Sequence, residues 1–163
     1  MGSEIERKFL CTPDAQLLTP AGTPIRQGYL TISAEAETRV RQAGERYWLT
    51  TKRGQGLVRG EFEIELTAAQ FDELWPATEG LRLAKVRHEI SLADAECIVD
   101  VYQGKLAGLR VAEVEFDSVE SAEAFQPPAW FGREVTGIAQ YANQRLATLT
   151  AADVLQLLDG RQE

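Results

Sequence analysis

Residues 4–8 read Glu4-Ile5-Glu6-Arg7-Lys8, and on a β-strand Glu4, Glu6 and Lys8 project from one face. Such a row can simply face water. It can also hold a divalent cation beside an anionic ligand group, the acids taking the metal and the base taking the anion. The same kind of row recurs along the chain. Arg39 and Arg41, Lys52, Glu61 with Glu63 and Glu65, Lys85 with Arg87 and Glu89, Asp100, and Glu113 with Glu115 and Asp117 each fall on one face of an alternating segment. The opposite faces are largely apolar, as in Ile5 and Phe9, Phe62 with Ile64 and Leu66, and Ala112 with Val114 and Phe116.

Alternation with period two, punctuated by turn residues, predicts antiparallel strands over about 4–11, 27–33, 36–43, 46–53, 59–66, 82–92, 96–103 and 109–117. Glycines 44, 54, 56, 60, 80, 104 and 108 lie between or at the edges of these runs. Helices are expected to interrupt the strands. Thr12-Pro13 reads as an N-cap and first helical residue of a short helix through Leu17 and Leu18. Thr67 with Gln70 fits a capping box ahead of an apolar face of Phe71, Leu74 and Trp75. Further helices are expected from Ser118 to Phe125, stopped by Pro127-Pro128, then over 138–147 and over 150–159.

A single strand of this kind most simply belongs to an open sheet with a wet polar face. Here the polar rows are carboxylates and Arg or Lys with few neutral polar residues, and eight strands are enough to close a sheet. The expected fold is therefore α+β, an eight-stranded antiparallel closed β-barrel with a charged interior and amphipathic helices packed outside. Burying those charges as bare pairs would forfeit several kcal/mol of hydration per ion. A polyanion on the bases and one or two divalent metals on the acids would remove the difficulty. The inner rows hold six bases (Lys8, Arg39, Arg41, Lys52, Lys85, Arg87) and seven acids (Glu4, Glu6, Glu61, Glu63, Asp100, Glu113, Glu115), a balance that suits metal plus polyphosphate. Carboxylate oxygens favour Mg²⁺ or Mn²⁺ over zinc, and the single His88 lies on the face opposite Lys85 and Arg87, where a structural role is the simpler reading.

The 163 residues, 44% hydrophobic, suit one domain spanning 1–163. A net charge of -8 argues against broad binding to nucleic acid or anionic membrane, so any bases that bind an anion must be concentrated locally. Cys11 and Cys97 form no CxxC pair, no secretory-type segment opens the chain, and no apolar run nears the roughly 20 residues of a membrane-spanning helix. A soluble cytoplasmic protein, monomer or homodimer, is expected.

Taken in order, these residues resemble the CYTH domain, or triphosphate tunnel metalloenzyme family. Glu4-Ile5-Glu6-Arg7-Lys8 matches its N-terminal ExExK signature, and Phe9-Leu10 the continuation common in small bacterial members. Arg39-Val40-Arg41, Lys52, Glu61-Phe62-Glu63, Lys85-Val86-Arg87 and Glu113-Val114-Glu115 sit where that family places paired tunnel charges. Gln27-Gly28-Tyr29-Leu30 resembles a segment of its small bacterial inorganic triphosphatases. Gly132 to Gly137, then Tyr141, Asn143 and Leu146, look like its C-terminal segment, although Ile138-Ala139-Gln140 stands where the family often has charged residues.

The resemblance implies a tunnel in which Lys8, Arg39, Arg41, Lys52, Lys85 and Arg87 bind a triphosphate, and Glu4, Glu6, Glu61, Glu63, Glu113 and Glu115 hold Mg²⁺ or Mn²⁺. Glu4, Glu6, Lys8 and Tyr29 are the catalytic candidates, Tyr29 reaching the phosphate chain together with a lysine. Metal-dependent hydrolysis of inorganic tripolyphosphate to pyrophosphate and phosphate is the leading reading. A nucleoside or thiamine triphosphatase or an adenylyl cyclase would use the same tunnel, but the sequence has no base-recognition motif. A non-catalytic polyphosphate-binding module would need the bases and gain nothing from so many nearby acids.

Overall fold

The computed structural model describes residues 5–12, 21–54 and 60–160. Glu4, and the helix expected over 13–18, lie outside the described residues. Nine strands form one antiparallel sheet: β1 (Ile5–Cys11), β2 (Thr23–Ile32), β3 (Ala36–Ala43), β4 (Arg46–Arg53), β5 (Gly60–Leu66), β6 (Arg82–Ser91), β7 (Glu96–Tyr102), β8 (Arg110–Phe116) and β9 (Phe131–Glu134). Their order across the sheet is β5-β4-β3-β2-β6-β7-β8-β1-β9.

The α+β class holds, but the closed eight-stranded barrel does not. The sheet has two ends, β5 and β9. Closure would need the free edge of β1, and β9 occupies it: Phe9 pairs with Glu134 and Cys11 with Phe131. The Lys8 carbonyl accepts from the Val135 N–H, and the Lys8 N–H donates to Thr136 Oγ1. The sheet is nevertheless strongly curled, because side chains from all of β1 to β8 line one cavity. Strand β2 also starts four residues earlier than expected. Pro24 lies near the strand's start opposite Val86, a position where a missing N–H is tolerated.

The outer face is covered in patches. Helix α1 (Ala68–Leu74) opens with the expected Thr67–Gln70 capping box and sets the fully buried Phe71 against Val40 and Leu66. Trp75 falls in the 3₁₀ turn that follows and stacks on Phe71 at 5.2 Å. That turn comes close to β2 because residue 28 is glycine; a Cβ there would overlap Thr78. Under α2 (Val119–Ala124) and β9, Phe9, Cys11, Cys97, Val99, Val114 and Phe131 form a second patch. The outer face of β5 is covered at Leu66 but not before it, with Phe62 62% and Ile64 43% exposed.

The inner face turns apolar at one end. Row by row, Glu6 and Lys8 give way to Leu10, Glu113 to Val111, Arg87 and Lys85 to Leu83, and Asp100 to Tyr102. These meet Val135, Tyr141, Leu146 and Val154 from the C-terminal segment in the largest core cluster. The helix expected over 138–147 is broken there. A 3₁₀ turn at Ala139–Tyr141 precedes Ala142, whose extended backbone (ψ 140°) starts α3 (Asn143–Thr148) afresh. Helix α4 (Ala151–Asp159) follows with a Thr150–Asp153 capping box. The break turns Ala142, Asn143 and Gln144 toward the inner cavity.

Candidate active site

The cavity inside the curled sheet has a volume of about 410 Å³. Seven carboxylates and five bases line it among the described residues. Strand register accounts for much of that lining. Glu6 stands opposite Glu115 and Lys8 opposite Glu113 across β1–β8. Lys52 stands opposite Glu61 across β4–β5, and Tyr29 opposite Arg39 across β2–β3. Each strand brings alternate side chains to the concave face, so neighbouring strands mesh acid rows with base rows.

Of the residues singled out in sequence, Glu6, Lys8, Tyr29, Arg39, Arg41, Lys52, Glu61, Glu63, Arg87, Glu113 and Glu115 line the cavity. Lys85 is placed differently. Its ammonium is fully buried behind the wall, 2.7 Å from Asp100 Oδ2 and 3.5 Å from Asn143 Oδ1. Glu37, Glu96, Asn143 and Gln144 also line the cavity. Glu37 was detectable, since it shares the alternation of Arg39 and Arg41; Asn143 comes from a helix far along the chain and carries no such signal.

Asp100 is the hub of the basic side. It accepts from Lys85 Nζ at 2.7 Å, and its two oxygens accept from Arg87 Nε at 2.9 Å and Nη2 at 3.0 Å. Burial pushes the Asp100 carboxyl up, but the Lys85 charge and the Arg87 hydrogen bonds overcome it and hold the group at about 2. Lys85 is lowered as well, to about 8, chiefly through burial; Asp100 opposes that only in part, since it is shared with Arg87, which itself repels Lys85. Arg41 falls to about 10 through burial and through repulsion by Arg39 and Arg87. Arg41, Lys85 and Arg87 thus crowd together around the buried Asp100, with Arg39 beside Arg41. Arg39 is 8% exposed and its Nε lacks a hydrogen-bond partner among the described residues. Burying such an excess of positive charge is costly unless an anion joins it.

The acidic side has a different character. Lys8 Nζ lies 3.6 Å from Glu113 and Lys52 Nζ 3.6 Å from Glu61, while Thr50 donates to Glu63 at 2.7 Å. Among the described residues no His or Cys lines the cavity, so its charged donors are carboxylate oxygens, the class that hard divalent cations take. Among the described residues no three of His, Cys, Asp and Glu are gathered into a ready metal-holding group. Among those residues, too, no helix is long and apolar enough to cross a membrane.

The Asp100 hub predicts a pH effect on stability. Its carboxyl lies lower in the folded chain (about 2) than its ordinary value of 3.8, so the folded state holds its proton less tightly than the unfolded state. The stabilisation, about 2 kcal/mol, is present above pH about 4 and disappears as pH falls toward 2. Urea denaturation at pH 5, 3 and 2 should show that loss, and Asp100→Asn should flatten the profile.

No family model matches the chain. An inorganic triphosphatase of Nitrosomonas europaea is 47% identical over 149 residues, which cover 89% of this chain and 97% of that protein. An inorganic triphosphatase of Acetivibrio thermocellus is 33% identical over 148 residues, covering 90% and 94%. A crystal structure of an inorganic triphosphatase, 44% identical, superposes with a TM-score of 0.73 over 92% of this chain and 97% of that one. With two relatives matched over nearly their full lengths, and an acid-and-base cavity in the same fold, the chain belongs to the inorganic triphosphatase family.

Proposed function

We propose that this protein hydrolyses inorganic tripolyphosphate to pyrophosphate and phosphate inside the cavity of the curled sheet. It is an enzyme, a hydrolase acting on phosphoanhydride bonds. The observation that carries the choice of site is the pairing of a crowded, under-neutralised cation cluster (Arg39, Arg41, Lys85, Arg87) with rows of carboxylates across the same cavity. The cations suit a polyphosphate. The acids would only repel it unless divalent cations stand between, which is why a pure binding module gains nothing from them. We read the chain as a single working unit of the CYTH, or triphosphate tunnel metalloenzyme, type, acting in the cytoplasm.

Phosphoryl transfer to water asks the protein for positioning and charge neutralisation more than for a covalent nucleophile. Arg39, Arg41 and Arg87 would grip phosphate oxygens, their planar forks suited to two-point contact. Lys8 and Lys52 would add charge from the acidic side, and Lys85 would add its field from behind Arg87. Glu4, Glu6, Glu61, Glu63, Glu113 and Glu115 would hold Mg²⁺ or Mn²⁺, with phosphate oxygens and water completing the ligand set. When bound, the metal neutralises charge on the phosphates and lowers the cost of forming the attacking water's nucleophile. One of the carboxylates orients that water, which attacks a terminal phosphorus in line; the anhydride bond breaks, the electron pair leaves on pyrophosphate, and the water's proton passes to the carboxylate. Tyr29 touches the phosphate chain from β2.

Phosphate release from tripolyphosphate should be fast with Mg²⁺ or Mn²⁺ and near background with EDTA. Equal rates under the two conditions would remove the metal from the mechanism. Running ATP and thiamine triphosphate beside tripolyphosphate, and assaying for cyclic AMP, sets the substrate.

A further inference from the structure

Gln27 is fully buried on β2, two residues from Tyr29 on the same face of the strand. Its Oε1 accepts from Arg41 Nε at 3.2 Å, and its Nε2 donates to the Tyr29 hydroxyl at 3.1 Å. The direction of this chain follows from chemistry. A guanidinium has donors only, so the group facing Arg41 must be the amide oxygen, and the group facing Tyr29 must be the amide nitrogen. The Tyr29 oxygen is therefore an acceptor in that bond. Arg39 is the cross-strand partner of Tyr29, and its guanidinium can likewise only donate. With Gln27 donating to it, the phenol oxygen keeps its own proton for the cavity side, where Tyr29 forms part of the lining. Burial keeps the phenol protonated by raising its pKa.

We propose that Gln27 is a positioning residue that fixes the Tyr29 hydroxyl as a hydrogen-bond donor to an anionic oxygen of the bound triphosphate, and so prevents Tyr29 from accepting a proton from the attacking water. The proposal rests on the triphosphatase reading of the cavity. It gives the polar segment of β2 a role beyond packing. Arg41 orients Gln27, Gln27 orients Tyr29, and the phenol presents hydrogen rather than a lone pair. A bound phosphate oxygen is then the natural acceptor.

The test is a double-mutant cycle on tripolyphosphate hydrolysis with Q27E, Y29F and the pair. Glutamate at position 27 keeps the volume and the Arg41 contact but can only accept from Tyr29, which turns the phenol proton away from the cavity. Q27E should lose about 10- to 100-fold in kcat, about as much as Y29F, as for one lost hydrogen bond to a charged group. The pair should be no worse than Y29F alone. The Tyr29 ring 13Cζ resonance, identified by its disappearance in Y29F, should move in Q27E. Wild-type activity in Q27E, an unmoved resonance, or a double variant whose loss is the product of the two single losses overturns the role of Gln27. If Q27E does not fold, Q27M serves: it should lower kcat in the wild-type background and leave it unchanged in the Y29F background, and equal losses in both overturn the proposal. Wild-type protein that fails to hydrolyse tripolyphosphate removes the reading of the site itself, whereas active wild type with an indifferent position 27 removes only this inference.

Discussion

Asp100→Ala is expected to destabilise the protein by about 3–5 kcal/mol, the range seen when one partner of a buried ion pair is deleted. Lys85 is wholly buried and Arg87 partly so, and Asp100 accepts hydrogen bonds from both. Without Asp100, two like charges remain beside Arg41, with no deeply buried carboxylate among them. The cost lies in the stranded cations rather than in a lost attraction, and a second substitution can separate the two. Lys85→Met combined with Asp100→Ala removes one stranded charge and should regain a large part of the loss, whereas independent sites would simply add. Urea denaturation of the two single variants and the double variant measures this. A loss under about 1 kcal/mol in Asp100→Ala would mean that water or another group takes over the carboxylate's part.

Glu6→Ala and Lys8→Ala are expected to do the reverse: fold normally and lose about 100- to 1,000-fold in turnover, the usual effect of removing one electrostatic contact to a transition state. Both side chains line the cavity, and neither belongs to an apolar cluster. The Lys8–Glu113 contact is long at 3.6 Å and partly wet, so its loss should change stability by less than about 1 kcal/mol. The two variants should differ in their rescue. Excess Mg²⁺ or Mn²⁺ should restore part of the Glu6→Ala activity, because a carboxylate that holds metal sets the metal concentration required, and should do nothing for Lys8→Ala. Thermal unfolding and a metal titration of phosphate release check both, and full turnover in either variant removes that residue from the site.

The charged rows were legible because alternation assigns each residue of a strand to a face, and the acids and bases kept to one face from Glu6 to Glu115. Cross-strand partners such as Lys8 and Glu113 come from the register of β1 with β8, which alternation alone does not assign. Closure was not legible. It depends on which segment takes the second edge of β1, and Phe131–Glu134, four residues just after Pro127-Pro128, is too short to announce itself by periodicity. Position along a row mattered as much as face. Leu10, Leu83 and Val111 carry the inner rows into the apolar core, and Lys85, one step from that end, is sealed behind the wall while Arg87 reaches the cavity. Gln27 and Asn143 were opaque for a different reason: their partners, Arg41 with Tyr29 and Lys85 with Tyr102, are contacts that only the folded chain creates.

An open sheet also gives the glutamates of β5 a second task. That strand ends the sheet with Phe62 and Ile64 uncovered, and an edge of this kind is a template on which another chain can add a strand. If two copies paired there about Glu63, Phe62 would meet Ile64, but Glu63 would meet its own counterpart and Glu61 would meet Glu65. Like charges would face each other at three successive positions of the inner row. The row proposed to hold metal on its concave side would thus also disfavour edge-to-edge pairing of two copies, so neutralising those acids is expected to threaten solubility as well as turnover.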